Sequence, residues 1–292
     1  MSSLRHLSPQ KQIASIWYVF VAAIVCLGFT NALSFGEEVT QERKTDERNA
    51  WSEYYASQLP RYKFSLASSP GEQLDLPYAK LRWSNPLRPG THGDLFVWSH
   101  HGRGVMVGSV FSYHSGDGRR VAHQFQSLTT ETIRCEYEGG DNFVIQGPGL
   151  KFEPIPAAAV PAEQRVSRLI QMRGLARGFQ ASCLDKGVFQ PLRALTQPIY
   201  RFEGERVEED GAIFGFVMGT DPELLLVISA LQTTDGPRWH YAAARFASEP
   251  LRLTHQGETI WAFDDDATQL GYVSKHGIDF QPKIPILEKS VE

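Results

Sequence analysis

The chain has 292 residues, 42% of them hydrophobic, with 29 Lys and Arg against 33 Asp and Glu and a formal net charge of −4. That length is enough to bury a sizeable core, and the slightly acidic balance excludes a nucleic-acid surface as the main business of the protein. Three cysteines without a CxxC or Cys/His spacing exclude a zinc-finger scaffold.

At the N-terminus Arg5 and Lys11 precede a charge-free stretch with the apolar core IASIWYVFVAAIVCLGF, and Glu37 follows. A positive flank, an apolar run and small residues beyond it predict an export signal over residues 1–36, cut after Ala32 or Gly36. The apolar core is also near the length of a membrane span, so a retained signal anchor with Arg5 and Lys11 inside is the alternative. Val25 before Cys26 does not fit a lipoprotein cleavage box. Without Arg5 and Lys11 the net charge of −4 becomes −6.

A helix is predicted over residues 42–59, carrying Trp51, Tyr54, Tyr55 and Leu59 amid charge. Strands near 62–67 and 78–84 follow. Gly-containing turns then bound strands near 94–100, 105–113, 119–128, 132–138 and 142–146, the unit 42–146 forming one helix-plus-meander. Asp117-Gly118 reads as a type I′ hairpin turn. The third of these strands alternates Val121, His123 and Phe125 on one face.

Residues 147–161 carry four prolines and no helical period, and read as a linker. A second helix is predicted over 162–183, with Val166, Leu169, Met172, Ala176, Phe179 and Cys183 as its apolar stripe. Its Arg165, Arg168, Arg173 and Arg177 read as a solvated side. Strands near 187–194 and 197–203 lead to a second meander near 212–218, 223–231, 237–246, 250–256 and 259–263, with Asp235-Gly236 as its hairpin turn. Asp264-Asp265-Asp266 reads as a strand terminator, and 264–292 as a weakly structured tail.

A shift of 118 residues aligns Gly93–Ile145 with Gly211–Phe263 without a gap. Eight of 53 pairs are identical, among them Phe96/Phe214, Asp117/Asp235 and Arg134/Arg252. The expected fold is therefore α+β: two tandem pseudo-symmetric repeats, 42–146 and 162–263, each a helix followed by an antiparallel β-meander.

No HExxH, GxSxG, Walker or EF-hand pattern occurs. His100, His101, His114 and His123 all lie in the first half, opposite Met218, Gly219, Gln232 and Tyr241. His100, His101 and His114 are the candidate catalytic residues, and His123 reads as a core histidine. No cofactor-binding or metal-ligating set is expected. Cys135 and Cys183 read as small core residues, with a disulfide chemically permissible after export.

The segments GDLFVWSHHGR, RRVAHQFQSLTTE, LTQPIYRFEG and MGTDPELLLVISA resemble an uncharacterised group of predicted exported proteins from planctomycete bacteria, over roughly residues 50–262. The resemblance implies an exported bacterial protein and carries no activity. The leading expectation for function is a non-catalytic, exported or membrane-anchored binding or scaffold protein of the cell envelope. Its partner would be an envelope protein or a small ligand, with membrane contact through the N-terminal segment if uncleaved. A hydrolase-like enzyme using the first-half histidines and a small-ligand carrier are the alternatives.

Overall fold

Tight turns and long apolar runs decide the architecture seen in a computed structural model, which describes residues 45–116, 118–202, 206–264 and 270–280. The expected export signal, Asp117, Asp265, Asp266 and the end of the tail lie outside the described residues. The chain divides into two units. One comprises Met1–Ala50 and Pro285–Glu292, and its described residues, 45–50, are helical. The other, Trp51–Ile284, carries every strand described below.

After helix α1 (45–58) and a 3-10 turn at Leu59–Arg61 come β1 (Tyr62–Leu66), β2 (Ala79–Ser84), β3 (His92–His100), β4 (Arg103–Ser115), β5 (Gly118–Ser127), β6 (Ile133–Tyr137), β7 (Phe143–Ile145) and β8 (Glu153–Pro154). Then follow α2 (Arg165–Ala176), β9 (Phe179–Asp185), β10 (Val188–Ala194), β11 (Tyr200–Arg201), β12 (Gly211–Met218), β13 (Asp221–Thr233), β14 (Gly236–Arg245), β15 (Leu251–His255), β16 (Glu258–Phe263) and β17 (Tyr272–Phe280). No helix among the described residues is long and apolar enough to cross a membrane.

The strands assemble into three antiparallel sheets. β1-β6-β7 form a small one, β17-β5-β4-β3-β2 a second, and β16-β15-β9-β10-β12-β13-β14-β8 a third, to which β11 adds by pairing with β12. The sheets form a half-barrel, with 53% of the described residues in strands and 14% helical. The fold is thus mostly β, and the expected α+β pair of helix-plus-meander repeats is overturned. The physical reason lies in the central strands. β13 begins at Asp221 and continues Pro222-Glu223-Leu224-Leu225-Leu226-Val227-Ile228, and Pro222 through Ala230 are all buried. Such a strand has no polar face, so it needs cover on both sides. A single helix cannot supply that cover, and a second sheet does.

Alternation then sorts the side chains. Leu225 and Val227 of β13, Ile213 of β12, and Ala242 and Ala244 of β14 meet Leu95, Val97 and Val107 of β3 and β4 in one shared core. Leu224, Leu226 and Ile228 point the other way, with Phe214, Phe216, Trp239, Tyr241 and Met172 of α2. β5 is likewise buried on both faces: Val121, His123 and Phe125 are buried on one face, Ala122 and Gln124 on the other. Aromatic rings of Tyr62, Phe64, Trp98, Phe125 and Phe143 fill the space toward β1-β6-β7.

Several local expectations change. The second helix ends at Ala176, and 179–185 is a strand. Phe179 and Cys183 fit a helical stripe, but with Ala181 they fit period two as well, and all three are buried on one face of β9. Val166 of the expected stripe is 71% exposed. Within the expected linker, Leu150 and Ile155 are buried and β8 pairs with β14. Within the expected loose tail, β17 pairs with β5 from Tyr272↔Gln126 to Phe280↔Arg120. The expected type I′ turn at Asp235-Gly236 is not formed, because Gly236 has a positive φ and Asp235 has not; the pair Thr233↔Gly236 closes the hairpin instead. Two-residue turns with both φ positive occur at His101-Gly102, Lys186-Gly187 and Gln256-Gly257. Cys135 and Cys183 are free thiols, one in β6 and one in β9, and burial pushes each up to about 12.

The arginines of α2 are not a uniformly solvated side. Arg168 is 1% exposed and donates from Nε to Asp210 Oδ2 at 2.7 Å, while its Nη1 donates to the carbonyls of Ala162 and Glu163. Arg201 adds two bonds to the same fully buried carboxylate, Nη2 to Oδ2 at 2.6 Å and Nε to Oδ1 at 3.1 Å. This network fastens α2 to the nine-stranded sheet.

A candidate functional site between the sheets

A cleft of about 390 Å³ opens where the end of β4 meets the start of β13. Its apolar walls are Trp83 of β2, Phe111 and Tyr113 of β4, and Phe246 just after β14. Its polar lining includes Arg88, His114, Gln124, Asp221, Glu223 and Glu249.

Local structure fixes these groups. The loop after β2 begins with buried Asn85, whose Oδ1 accepts from the backbone N–H groups of Leu87 and Arg88 and so shapes the turn. Its Nδ2 donates to Asp221 Oδ2 at 2.8 Å. Thr220 Oγ1 accepts from Ser84 N and donates to Ser84 O. Gly219, at φ +64, faces Pro86 so closely that a Cβ there would lie 2.4 Å from its ring. The loop thereby carries Arg88 to the far sheet, where it ion-pairs with Glu249. His114 packs over Gly90, and Arg119 Nη2 lies 3.3 Å from its Nε2. A guanidinium only donates, so Nε2 is the acceptor.

Glu223 stands apart. It is 8% exposed and lines the cleft, yet no hydrogen bond or ion pair reaches its carboxyl from the described residues. Burial, reinforced by Asp221 and Glu249 and opposed by Arg88, pushes Glu223 up to about 9. Burial likewise raises Asp221 to about 7, against its bond from Asn85 and the charge of Arg88. At neutral pH Glu223 therefore holds its proton and can donate a hydrogen bond into the cleft. A cation entering the cleft would draw that proton off and pair with the carboxylate.

The candidate histidines are split. His100 and His101 sit at the β3–β4 turn beside Glu72. His114 is at the other end of β4, about 35 Å away at about 3.3 Å per residue. The structure therefore does not assemble one three-histidine centre. His123 is fully buried, with Nδ1 2.5 Å from Tyr62 Oη. Asp264 ion-pairs with Arg252 at the end of β16. Sequence reasoning missed Arg88, Asp221, Glu223 and Glu249. One signal was present: Glu223 abuts an apolar run that must be buried, so its carboxyl had to be buried or reach a cavity.

The fold and the cleft together define a mostly β protein with an acidic, aromatic-walled pocket between two sheets. Comparison with family models, curated proteins and solved structures finds no match to this chain.

Proposed function

We propose that this protein binds a small organic cation in the cleft between its sheets. The observation that carries the proposal is the buried Glu223 carboxyl, unpartnered and facing an aromatic-walled cavity. A buried charge without a partner is costly, and here the cost is avoided by keeping the proton. An ammonium ligand supplies the missing positive charge. Trp83, Phe111, Tyr113 and Phe246 supply faces that attract cations. Arg88 is committed to Glu249, which leaves Asp221 and Glu223 as the carboxyls available to a cation. Of the expected functions, the small-ligand carrier fits this arrangement, and export or anchoring by residues 1–36 belongs to the same proposal. A reporter fused at residue 60 that is active only after export tests that part.

Ligand-observed NMR with the full chain tests the binding. Benzylamine is expected to bind, and benzyl alcohol to bind at least about tenfold more weakly, since a hydrogen bond to a charged group contributes about 1.5–3 kcal/mol. Glu223→Gln is expected to erase that preference. Equal binding of amine and alcohol, or an unchanged preference in Glu223→Gln, would overturn the proposal.

A further inference from the structure

We propose that Glu72, His100 and His101 form a binding site for a divalent transition metal, zinc in the first instance. The inference is independent of the cleft, from which the β3–β4 turn is separated by the length of β4.

The donor atoms are already gathered. His100 Nε2 lies 3.2 Å from Glu72 Oε2, and His101 Nε2 lies 3.4 Å from Glu72 Oε1. One ligand atom from each residue falls within 4.8 Å of the others. A tetrahedral zinc with ligand bonds near 2.0–2.1 Å has donors about 3.3 Å apart. The three side chains thus stand near the spacing of one face of such a site. Two imidazoles and one carboxylate form a ligand set that leaves a fourth position for water or a second ligand.

The hydrogen bonding points the same way. His100 Nε2 is shielded from solvent and has no hydrogen-bond partner, although the Glu72 carboxylate lies beside it. A lone pair held in this way is satisfied by a metal ion. The neighbouring backbone holds the group in place. Gln73 bridges to Ser65, Leu74 N donates to Phe64 O at 2.8 Å, and Asp75 N donates to Ser99 O at 2.9 Å. Ser99 Oγ also donates to Asp75 Oδ2 at 2.8 Å. The segment bearing Glu72 is therefore tied to β1 on one side and to β3 on the other.

The turn itself places the second imidazole. His101 has φ +51 and Gly102 has φ +76, the pattern of a two-residue type I′ turn, whose first position favours Asn, Asp or Gly. Lys186 and Gln256 hold the same position in the other two turns of this kind, so the turn tolerates His101 without requiring it. The conformation nevertheless brings its ring to a centroid distance of 4.1 Å from that of His100.

The test uses zinc alone, by competition with a chromophoric chelator, and the full chain. His101→Asn is the variant of choice, because it removes a ligand while supplying a residue the turn prefers. The wild type is expected to bind one equivalent of zinc at the site. His101→Asn is expected to bind that equivalent at least about 100-fold more weakly, since the loss of a direct ligand exceeds the 10–100-fold cost of losing an outer-shell partner. Its melting temperature should be unchanged or higher. Cobalt is expected to give intense visible absorption bands with the wild type and not with His101→Asn. Equal zinc affinity in the two proteins would overturn the proposal, whatever benzylamine does at the cleft.

Discussion

Replacing Glu223 by Gln keeps the shape of the side chain and removes its proton equilibrium. Glu223 titrates at the ordinary 4.5 in the unfolded chain and is raised to about 9 in the folded one. Below pH 4.5 both states hold the proton, so the group leaves stability untouched. As pH rises from there toward 9, the unfolded chain releases the proton and the folded chain keeps it. Stability therefore falls with rising pH, by about 1.4 kcal/mol per unit. At pH 7 that amounts to about 3 kcal/mol, which Glu223→Gln recovers. For a folded unit of this size, the gain corresponds to a rise of about 6–12 °C in melting temperature. Thermal melts of both proteins at pH 4.5 and pH 7.5 measure it. The difference should be small at the acid pH and large at the higher one. A Gln variant less stable than wild type at pH 7.5 would refute the reasoning, because it would mean that an ionised Glu223 has a partner in the folded protein.

Asp210→Asn should be strongly destabilising, by about 3–5 kcal/mol, because it leaves the buried Arg168 guanidinium without its counter-charge; adding Arg168→Met should recover much of the loss in urea titrations. Tyr62→Phe and His123→Phe should each cost about 0.5–1.5 kcal/mol by removing the buried hydrogen bond between them, and the double variant should cost less than the two losses added together, as a double-mutant cycle of denaturation midpoints would reveal. Cys135 and Cys183, buried and with thiols raised to about 12, should resist alkylation at pH 8 in the folded protein and react once it is denatured, as peptide mass mapping would report.

The strand positions were legible in the residues. Turn glycines and alternating or continuous apolar runs placed β3 to β7 and β12 to β16 within a few positions, because strand ends are fixed by local backbone chemistry. The helix over 45–58 was legible for the same reason. The fold class was not, because an apolar run states that a strand is buried and not what buries it. Whether a helix or a second sheet covers the far face of β12, β13 and β14 is settled by packing between segments distant in the chain. The boundary at Gly178 went unread because Phe179 and Cys183, four apart, suit both periods, and only the neighbours of β9 select one.

The sites divide in the same way. The sequence by itself determined that His100 and His101 are adjacent and lie near a turn; the tertiary structure alone brought Glu72 to them, through ties from its segment to β1 and β3. The sequence carried a lone Glu223 at the head of an apolar strand. Tertiary structure decided that this carboxyl shares a cleft with Trp83, Phe111 and Phe246 from other segments, and that the loop from β2 delivers Arg88 to Glu249 rather than to Glu223. Proton affinity is a property of surroundings, through desolvation and neighbouring charge, and a one-dimensional chain does not specify surroundings until it folds.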